Sequence, residues 1–306
     1  MLSDVITRTG ETMDFTAQNL DTIRSIHLHN MTVDEVVQAD SQVESSFHFS
    51  QGIWWREVKP FFYQPAAAMT QIVPHAAAPT AWRAVGGYYH MVPPGAPSNG
   101  HIVVNEMPDF ANYTLDNLNK SVRYEIRRGL STFRIGQVTD LEELLADGYR
   151  VYLDWEGRTA NVRIRRSDPA VFRRWITAVF SHPYRLILGA YFEDRLSAYV
   201  IAHAVAGVAS LSKSFSDAPS RRYAPSSVLI YAYLRICAQS PEIHKTCDGL
   251  RSTKDSLERY KAKLGFRQVS YPAFICLRPV IRPLVRWLMP MEYRRLMGQY
   301  AETLSA

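Results

Sequence analysis

The sequence predicts an α/β (α+β) fold, in which a mixed, mainly antiparallel sheet is flanked by helices. One observation is a run of apolar strands at 185–192, 196–205 and 208–215, whose short turns favour an antiparallel meander. A second is the helix–strand–helix–strand pattern that follows over 226–277. A third is the series of short strand patterns before residue 111, which predicts a strand-rich N-terminal layer.

Composition narrows the classes of function. Hydrophobic residues make up 47% of the 306 residues, which suffices for a packed core. The formal net charge of +6 favours anionic partners such as nucleotide cofactors, nucleic acid or membrane surfaces, although it also fits an ordinary basic protein. The three cysteines lack CxxC spacing, so we expect no disulfide framework, no metal site and a cytoplasmic location. Neither a signal peptide nor a transmembrane segment is expected, because no apolar run is long enough.

The N-terminal 111 residues combine strand patterns with aromatic side chains. Alternation over 23–28 predicts a strand, and further strands are expected at 82–94 and 101–104. The aromatic residues around Trp54 and Trp55 can line a substrate pocket or pack a core.

Helices are predicted over 116–130 and 140–158, and a third begins at Asp168. The first carries a basic stripe, which can meet phosphates or face solvent. Its residues are Lys120, Arg123 and Arg127. The second helix ends in charged side chains that can reach an acceptor substrate or lie in solvent. They are Asp154, Glu156 and Arg158.

The strand at 208–215 and the loop after it form a candidate ligand site. Alternation predicts that four serines share one face, leaving room for a ligand along the backbone or facing solvent. They are Ser210, Ser212, Ser214 and Ser216. The loop is basic and opens a helix, whose N-terminal N–H groups favour an anion. Its residues are Arg221, Arg222, Tyr223, Ala224, Ser226 and Ser227.

Two motifs near the C-terminal end carry a family resemblance. Asp248-Gly249-Leu250-Arg251 is followed by Tyr260-Lys261-Ala262-Lys263-Leu264-Gly265-Phe266, and together they resemble the ending of the FemAB-like branch of GNAT N-acyltransferases. The resemblance covers about 112–277 and implies a GNAT-like acyltransferase domain over 112–278. Residues 1–111 would be an extension or a partial second GNAT-like unit. Residues 279–306 would be a basic amphipathic tail that lies on a membrane surface or packs against the body.

The resemblance implies acyl transfer from acyl-CoA to a primary amine of a small molecule or peptide. The pyrophosphate would sit on the basic loop and the pantetheine arm along the strand with Ser212 and Ser214. Because no glycine occurs between Ser216 and Ser240, aminoacyl-tRNA stays open as the donor, with tRNA as a partner. A GNAT-shaped binding protein without catalysis is the third hypothesis.

The resemblance and the positions of individual residues suggest catalytic candidates. Lys261 can steady the oxyanion or a phosphate, or be a solvated helix lysine. Asp248 can orient the amine, or cap the turn before Gly249. His203 lies mid-strand and is a candidate base, or a hydrogen-bonded core histidine. Arg251 joins Asp154, Glu156 and Arg158 as a candidate acceptor ligand.

Overall fold

The computed structural model describes residues 14–42, 46–159, 165–252, 254–288, 290, 293–294 and 297. The remaining residues lie outside the described part. They include the N-terminal residues, where no signal peptide is expected, and much of the predicted tail. The N-terminal elements are α1 (Thr16–Ser25), β1 (Asn30–Met31), α2 (Val33–Ser41), β2 (Phe47–Ser50), β3 (Ile53–Lys59), β4 (Phe62–Pro65), β5 (Gly87–Met91) and β6 (Gly100–Glu106).

The C-terminal part alternates helices and strands. It contains α3 (Lys120–Thr132), β7 (Arg134–Gln137), α4 (Leu141–Glu143), a π-helical turn (Leu144–Gly148), α5 (Tyr149–Arg158) and α6 (Pro169–Phe180). These are followed by β8 (Leu186–Phe192), β9 (Arg195–Val205), β10 (Val208–Ser216), a 3-10 turn (Pro219–Tyr223), α7 (Pro225–Gln239), β11 (Lys245–Leu250), α8 (Asp255–Lys263), β12 (Arg267–Leu277) and α9 (Ile281–Leu288).

The described strands form one sheet, in the order β2-β3-β4-β5-β12-β6-β11-β10-β9-β8-β7, with β1 beside β9. Most neighbours are antiparallel, as in the predicted β8–β9–β10 meander. The parallel pairs are β1 with β9, β4 with β5, and β10 with β11. The predicted fold class is therefore confirmed.

The two faces of the sheet bury different cores. Along β9, Val200 and Ala202 face a core built with α1, α3 and α7. The alternate residues Tyr199 and Ile201 face a second core built with α5 and α6. This period of two puts helices on both sides of the central strands, so any ligand must enter at a gap between strands or between helices.

Strand β6 joins the N-terminal residues to the C-terminal strands. It lies between β11 and β12, and pairs Glu106 with Cys247 and Val104 with Val269. The sheet therefore continues across the division expected at residue 111. That division stays a prediction.

One strand prediction in the N-terminal region is wrong, and a second is confirmed with shorter bounds. Residues up to Ser25 form helix α1, because Asn19 anchors it to a neighbouring turn and strand rather than to a sheet edge. The Asn19 side chain donates to the carbonyls of Leu130 and Phe133, and accepts from the N–H of Ile135. The strand expected over 82–94 is shorter and spans Gly87–Met91.

The C-terminal helix α9 exposes much of its apolar surface. Its neighbour Val280 and its residues Leu284, Trp287 and Leu288 are all exposed. No helix in the described part of the chain is both long and apolar enough to cross a membrane.

Candidate active site

Strands β10 and β11 separate partway along their length. They pair in parallel from Val208 with Lys245 to Ser210 with Cys247, after which the pairing between these two strands ends. Strand β10 continues to Ser216 and β11 to Leu250. The edge of β10 that faces this gap can therefore offer backbone N–H groups to a ligand.

A β-bulge lies at the start of the gap. The β9–β10 register shifts between Leu211 and Lys213, so Ser212 is an extra residue on β10. Before the bulge Leu211 joins the α7-side core, and after it Phe215 joins the α5–α6 core. The prediction that the serines share one face is therefore wrong. Ser214 lies opposite Val200 on the α7 side.

His203 and Ser212 meet beside the bulge. The Ser212 Oγ and His203 Nδ1 atoms are 2.8 Å apart, and the imidazole is half-buried. Burial lowers the pKa of His203 to about 3, and the charges of Arg185 and Arg56 act in the same direction. The imidazole is therefore neutral near physiological pH and can accept a hydrogen bond.

The predicted basic loop lies directly before the N-terminus of α7. Ala224 has a left-handed φ of 54°, and α7 begins at Pro225 with no side chain of the described residues capping it. The guanidinium carbons of Arg128 and Arg222 each lie 4.8 Å from the ring centroid of Tyr223. Arg221 beside them is exposed. Pro225 has no N–H, and the N–H groups of Ser227 and Val228 donate to the carbonyl of Ala224, so the stacked guanidiniums are the main reason why this loop suits an anion.

Gly129 explains how α3 brings Arg128 to this loop. A Cβ at Gly129 would lie 2.2 Å from Cγ2 of Val228 and 3.0 Å from the carbonyl oxygen of Tyr223. Only a glycine therefore lets α3 and α7 approach this closely.

Two of the three predicted acceptor residues on α5 bond to the segment between β10 and the loop. Asp154 accepts a hydrogen bond from the N–H of Ala218, and Arg158 donates to the carbonyl of Ser216. Glu156 is buried, and accepts from the hydroxyl of Tyr152 at 2.7 Å. Their role as acceptor ligands stays a prediction.

Lys261 and Asp248 form a largely buried pair between α8 and the end of β11. The Lys261 Nζ lies 2.5 Å from the carbonyl oxygen of Asp248 and 3.5 Å from its carboxylate. Burial raises the pKa of Asp248, and the charge of Lys261 opposes that rise. The pair lies at the end of β11, where the main-chain N–H of Arg251 donates to the carbonyl of Val103. The catalytic roles of both residues stay predictions.

Tyr260 is a candidate that the sequence interpretation missed. Its hydroxyl lies 3.2 Å from the Oγ of Ser227, so it sits between α8 and the first turn of α7. Burial raises its pKa to about 12, which keeps the phenol protonated. The sequence feature that could have identified Tyr260 is its position directly before Lys261 in the motif.

A cavity of about 490 Å³ opens on the other side of the gap, and we call it the sheet cavity. Its wall includes Arg56, His203, Ser210, Lys245 and Tyr271. Sequence patterns missed Arg56 and Lys245, because these residues belong to strands far apart in the chain.

Comparisons with known proteins rest on structure alone, since no family model and no curated protein matches this chain. The crystal structure of FemX matches with a TM-score of 0.57 and 8% identity, covering 89% of this chain and 98% of that one. The C-terminal domain of a putative lysylphosphatidylglycerol synthetase from Agrobacterium fabrum gives 0.53 and 12%, covering 92% and 98%. A tandem GNAT protein from the clavulanic acid biosynthesis pathway gives 0.45 and 12%, covering 86% and 94%. At these identities the likeness concerns the fold.

Proposed function

We propose that this chain, whose fold is GNAT-like and of the FemAB type, is an N-acyltransferase that uses acyl-CoA to acylate a primary amine. The observation that carries the proposal is the gap between β10 and β11, which leads to the uncapped N-terminus of α7 with its arginines. A helix end with stacked guanidiniums suits a pyrophosphate, and a splayed strand pair suits an extended arm with a thioester.

In this proposal the donor lies in the gap with its pyrophosphate on Arg128, Arg221 and Arg222. Its thioester carbonyl lies near the bulge at Ser212, where backbone N–H groups can stabilise the oxyanion. His203 is neutral and accepts a hydrogen bond from the incoming amine. Ser212, Ser214, Ser226 and Ser227 remain the proposed polar contacts along the donor.

The reaction is direct attack in a ternary complex. The amine nitrogen forms a bond to the acyl carbon, the carbon–sulfur bond breaks and the thiolate leaves. Tyr260 stays protonated and can donate a hydrogen bond to that thiolate, which takes up a proton from solvent, while the amine gives its own proton to solvent near His203. Lys261 stays the proposed oxyanion contact and Asp248 the proposed amine ligand, while their ion pair holds the end of β11.

Aminoacyl-tRNA is the second candidate donor. The loop has no glycine between Ser216 and Ser240, whereas α3 carries the exposed residues Lys120 and Arg127 beside it. A broad basic surface suits the many phosphates of a tRNA better than a single pyrophosphate. Either donor is found in the cytoplasm, which is the proposed location.

The tail supports a proposed peripheral contact with membranes. Helix α9 exposes Leu284 and Trp287 together with the exposed arginines Arg282 and Arg286. A short helix with exposed apolar and cationic groups suits the surface of an anionic bilayer.

Calorimetry distinguishes the donors and tests the anion site. We expect CoA to bind, and Arg222→Gln to weaken its binding by about tenfold, since a charge-assisted hydrogen bond contributes about 1.5 kcal/mol. The variant should also show a smaller dependence of affinity on salt. Tighter binding of charged than uncharged tRNA, without CoA binding, would instead support the second donor.

Arg24→Gln is the matched control. Arg24 is exposed at the end of α1, near the opposite end of α7, where Gln239 donates to the carbonyl of Ile23. Unchanged CoA affinity in Arg222→Gln would contradict the assignment of the loop. No binding of CoA or tRNA would favour a GNAT-shaped binding protein without catalysis.

A further inference from the structure

The sheet cavity is enclosed by both parts of the chain. One side is formed by β3, β4 and β5 with the segment 66–71, and the other by β9, β10 and β11. Aliphatic side chains such as Met69, Met91, Ile102 and Val104 line part of its wall. A volume of about 490 Å³ with apolar walls and a few polar groups is typical of a site for a small molecule.

The charged groups of the cavity are basic. Among the described residues that line it, Arg56 and Lys245 are the charged side chains, and no Asp or Glu is present. Behind the wall, Asp40 is shared by Arg56 at 3.4 Å and by Arg185. One carboxylate between two guanidiniums leaves a positive charge in excess, whereas Lys245 is balanced by Glu106 at 3.3 Å.

Arg56 is also partly buried. Burial lowers its pKa, because the surrounding protein replaces part of the water around the guanidinium. A partly desolvated cation gains more from an anionic ligand than a cation in bulk water does. The charge excess and the burial therefore both favour an anion in the cavity.

The cavity reaches the place where the strands separate. Its wall includes Ser210 and Cys247, the last pair of the β10–β11 ladder, whose side-chain atoms Oγ and Sγ are 3.1 Å apart. Gly249 in the same wall lies beyond that pair. A molecule in the cavity can therefore present one end to the gap while its other end lies near Arg56.

We propose, on the premise of the proposed function, that the sheet cavity binds the acceptor and selects an amine that carries a carboxylate or phosphate at its far end. The amine lies at Ser210 and Cys247, a short aliphatic chain crosses the apolar wall, and the anionic group meets Arg56 and Lys245. The nitrogen forms a bond to the acyl carbon and gives up one proton, the carbon–sulfur bond breaks, and the departing thiolate takes up one proton. A cationic far end is disfavoured by like charge.

A panel of matched amines tests this proposal on the full chain with acetyl-CoA. Butylamine has a neutral end, 1,4-diaminobutane a cationic end, 4-aminobutyrate a carboxylate and 3-aminopropylphosphonate a phosphonate. We expect KM to be at least tenfold lower for the two anionic amines than for butylamine, and highest for 1,4-diaminobutane. The two anionic arms show which anion the cavity prefers. Equal KM values across the panel, or preference for 1,4-diaminobutane, would overturn the proposal.

The variant Arg56→Gln tests whether Arg56 in the sheet cavity causes the preference for anionic amines. Asp40 keeps its contact with Arg185 in this variant, so the fold should persist. We expect KM for 4-aminobutyrate to rise about tenfold relative to KM for butylamine. Arg267→Gln, at the exposed start of β12, is the control. Lys245→Gln is the second variant, and an unchanged KM for 4-aminobutyrate in both variants would overturn the assignment.

Hydroxylamine separates failure of this proposal from failure of the proposed function. It is small and neutral, so it can reach the thioester without the selecting groups. Hydroxamate formation without any preference for anionic amines would overturn only the acceptor proposal. Absence of any hydroxamate and any acylated amine would contradict the proposed function, and the acceptor proposal would fall with it.

Discussion

At the scale of single residues, the site depends on burial that changes protonation. His203 is kept neutral chiefly by burial, with the cations Arg185 and Arg56 nearby. Burial also keeps Tyr260 protonated, because it disfavours the charged phenolate and so raises the pKa of the phenol. One residue is thus ready to accept a hydrogen bond, and the other to donate one.

The low pKa of His203 predicts an acid-sensitive fold. Its pKa falls from 6.5 to about 3 on folding, so the unfolded chain binds the extra proton first as the pH drops. The free energy of unfolding should therefore decrease as pH falls from about 6.5 towards 3. Urea unfolding across this range should show a flatter pH profile in His203→Gln. The same change at exposed His27 is the control, and an equal flattening there would contradict the assignment.

The sequence motif identified some residues of the site and missed others. The motif brought Asp248 and Lys261 to attention, and the structure places them in contact. The motif contains Tyr260 but did not indicate its role, and it does not include Arg56, because a hydroxyl between two helices and a cation in a cavity wall depend on packing between distant segments.

At the scale of secondary structure elements, the bulge and one glycine arrange the site. The meander, α7, β11, α8 and β12 were all predictable from periodicity. The bulge at Ser212 was not, since a shift of one residue is defined by the partner strand β9. Helix α1 was mistaken for a strand because contacts of Asn19 with the α3–β7 turn override local alternation.

Gly129→Ala tests the close approach of α3 and α7. The added methyl group would overlap Val228, and overpacking of this kind costs about 1 to 3 kcal/mol. We expect a lower free energy of unfolding in urea, and weaker CoA binding because Arg128 moves away from the loop. Gly157→Ala in α5 is the matched helical control, as its Cβ has no atom within 4 Å. It should be stabilised by up to about 1 kcal/mol. Equal effects in the two variants would contradict this account of Gly129.

At the scale of the whole molecule, one sheet unites the two parts of the chain. Strand β6 lies between β11 and β12, and the sheet cavity has walls from both parts. The sequence indicated the strands but not this insertion, because strand order is decided by pairing between segments far apart in the chain. The sheet cavity therefore depends on pairing between the two parts of the chain.

Mass spectrometry of a single reaction mixture tests the central claim most directly. The full chain is incubated with acetyl-CoA and either butylamine or 4-aminobutyrate. The masses of the small-molecule products and of the intact protein are then measured. Direct transfer in a ternary complex predicts N-acetylated amine and free CoA in equal amounts, with the protein mass unchanged when the amine is omitted. An acetylated protein that forms without amine and passes its acetyl group to amine on later addition would contradict direct transfer. Absence of product from both acetyl-CoA and aminoacyl-tRNA would contradict acyl transfer itself.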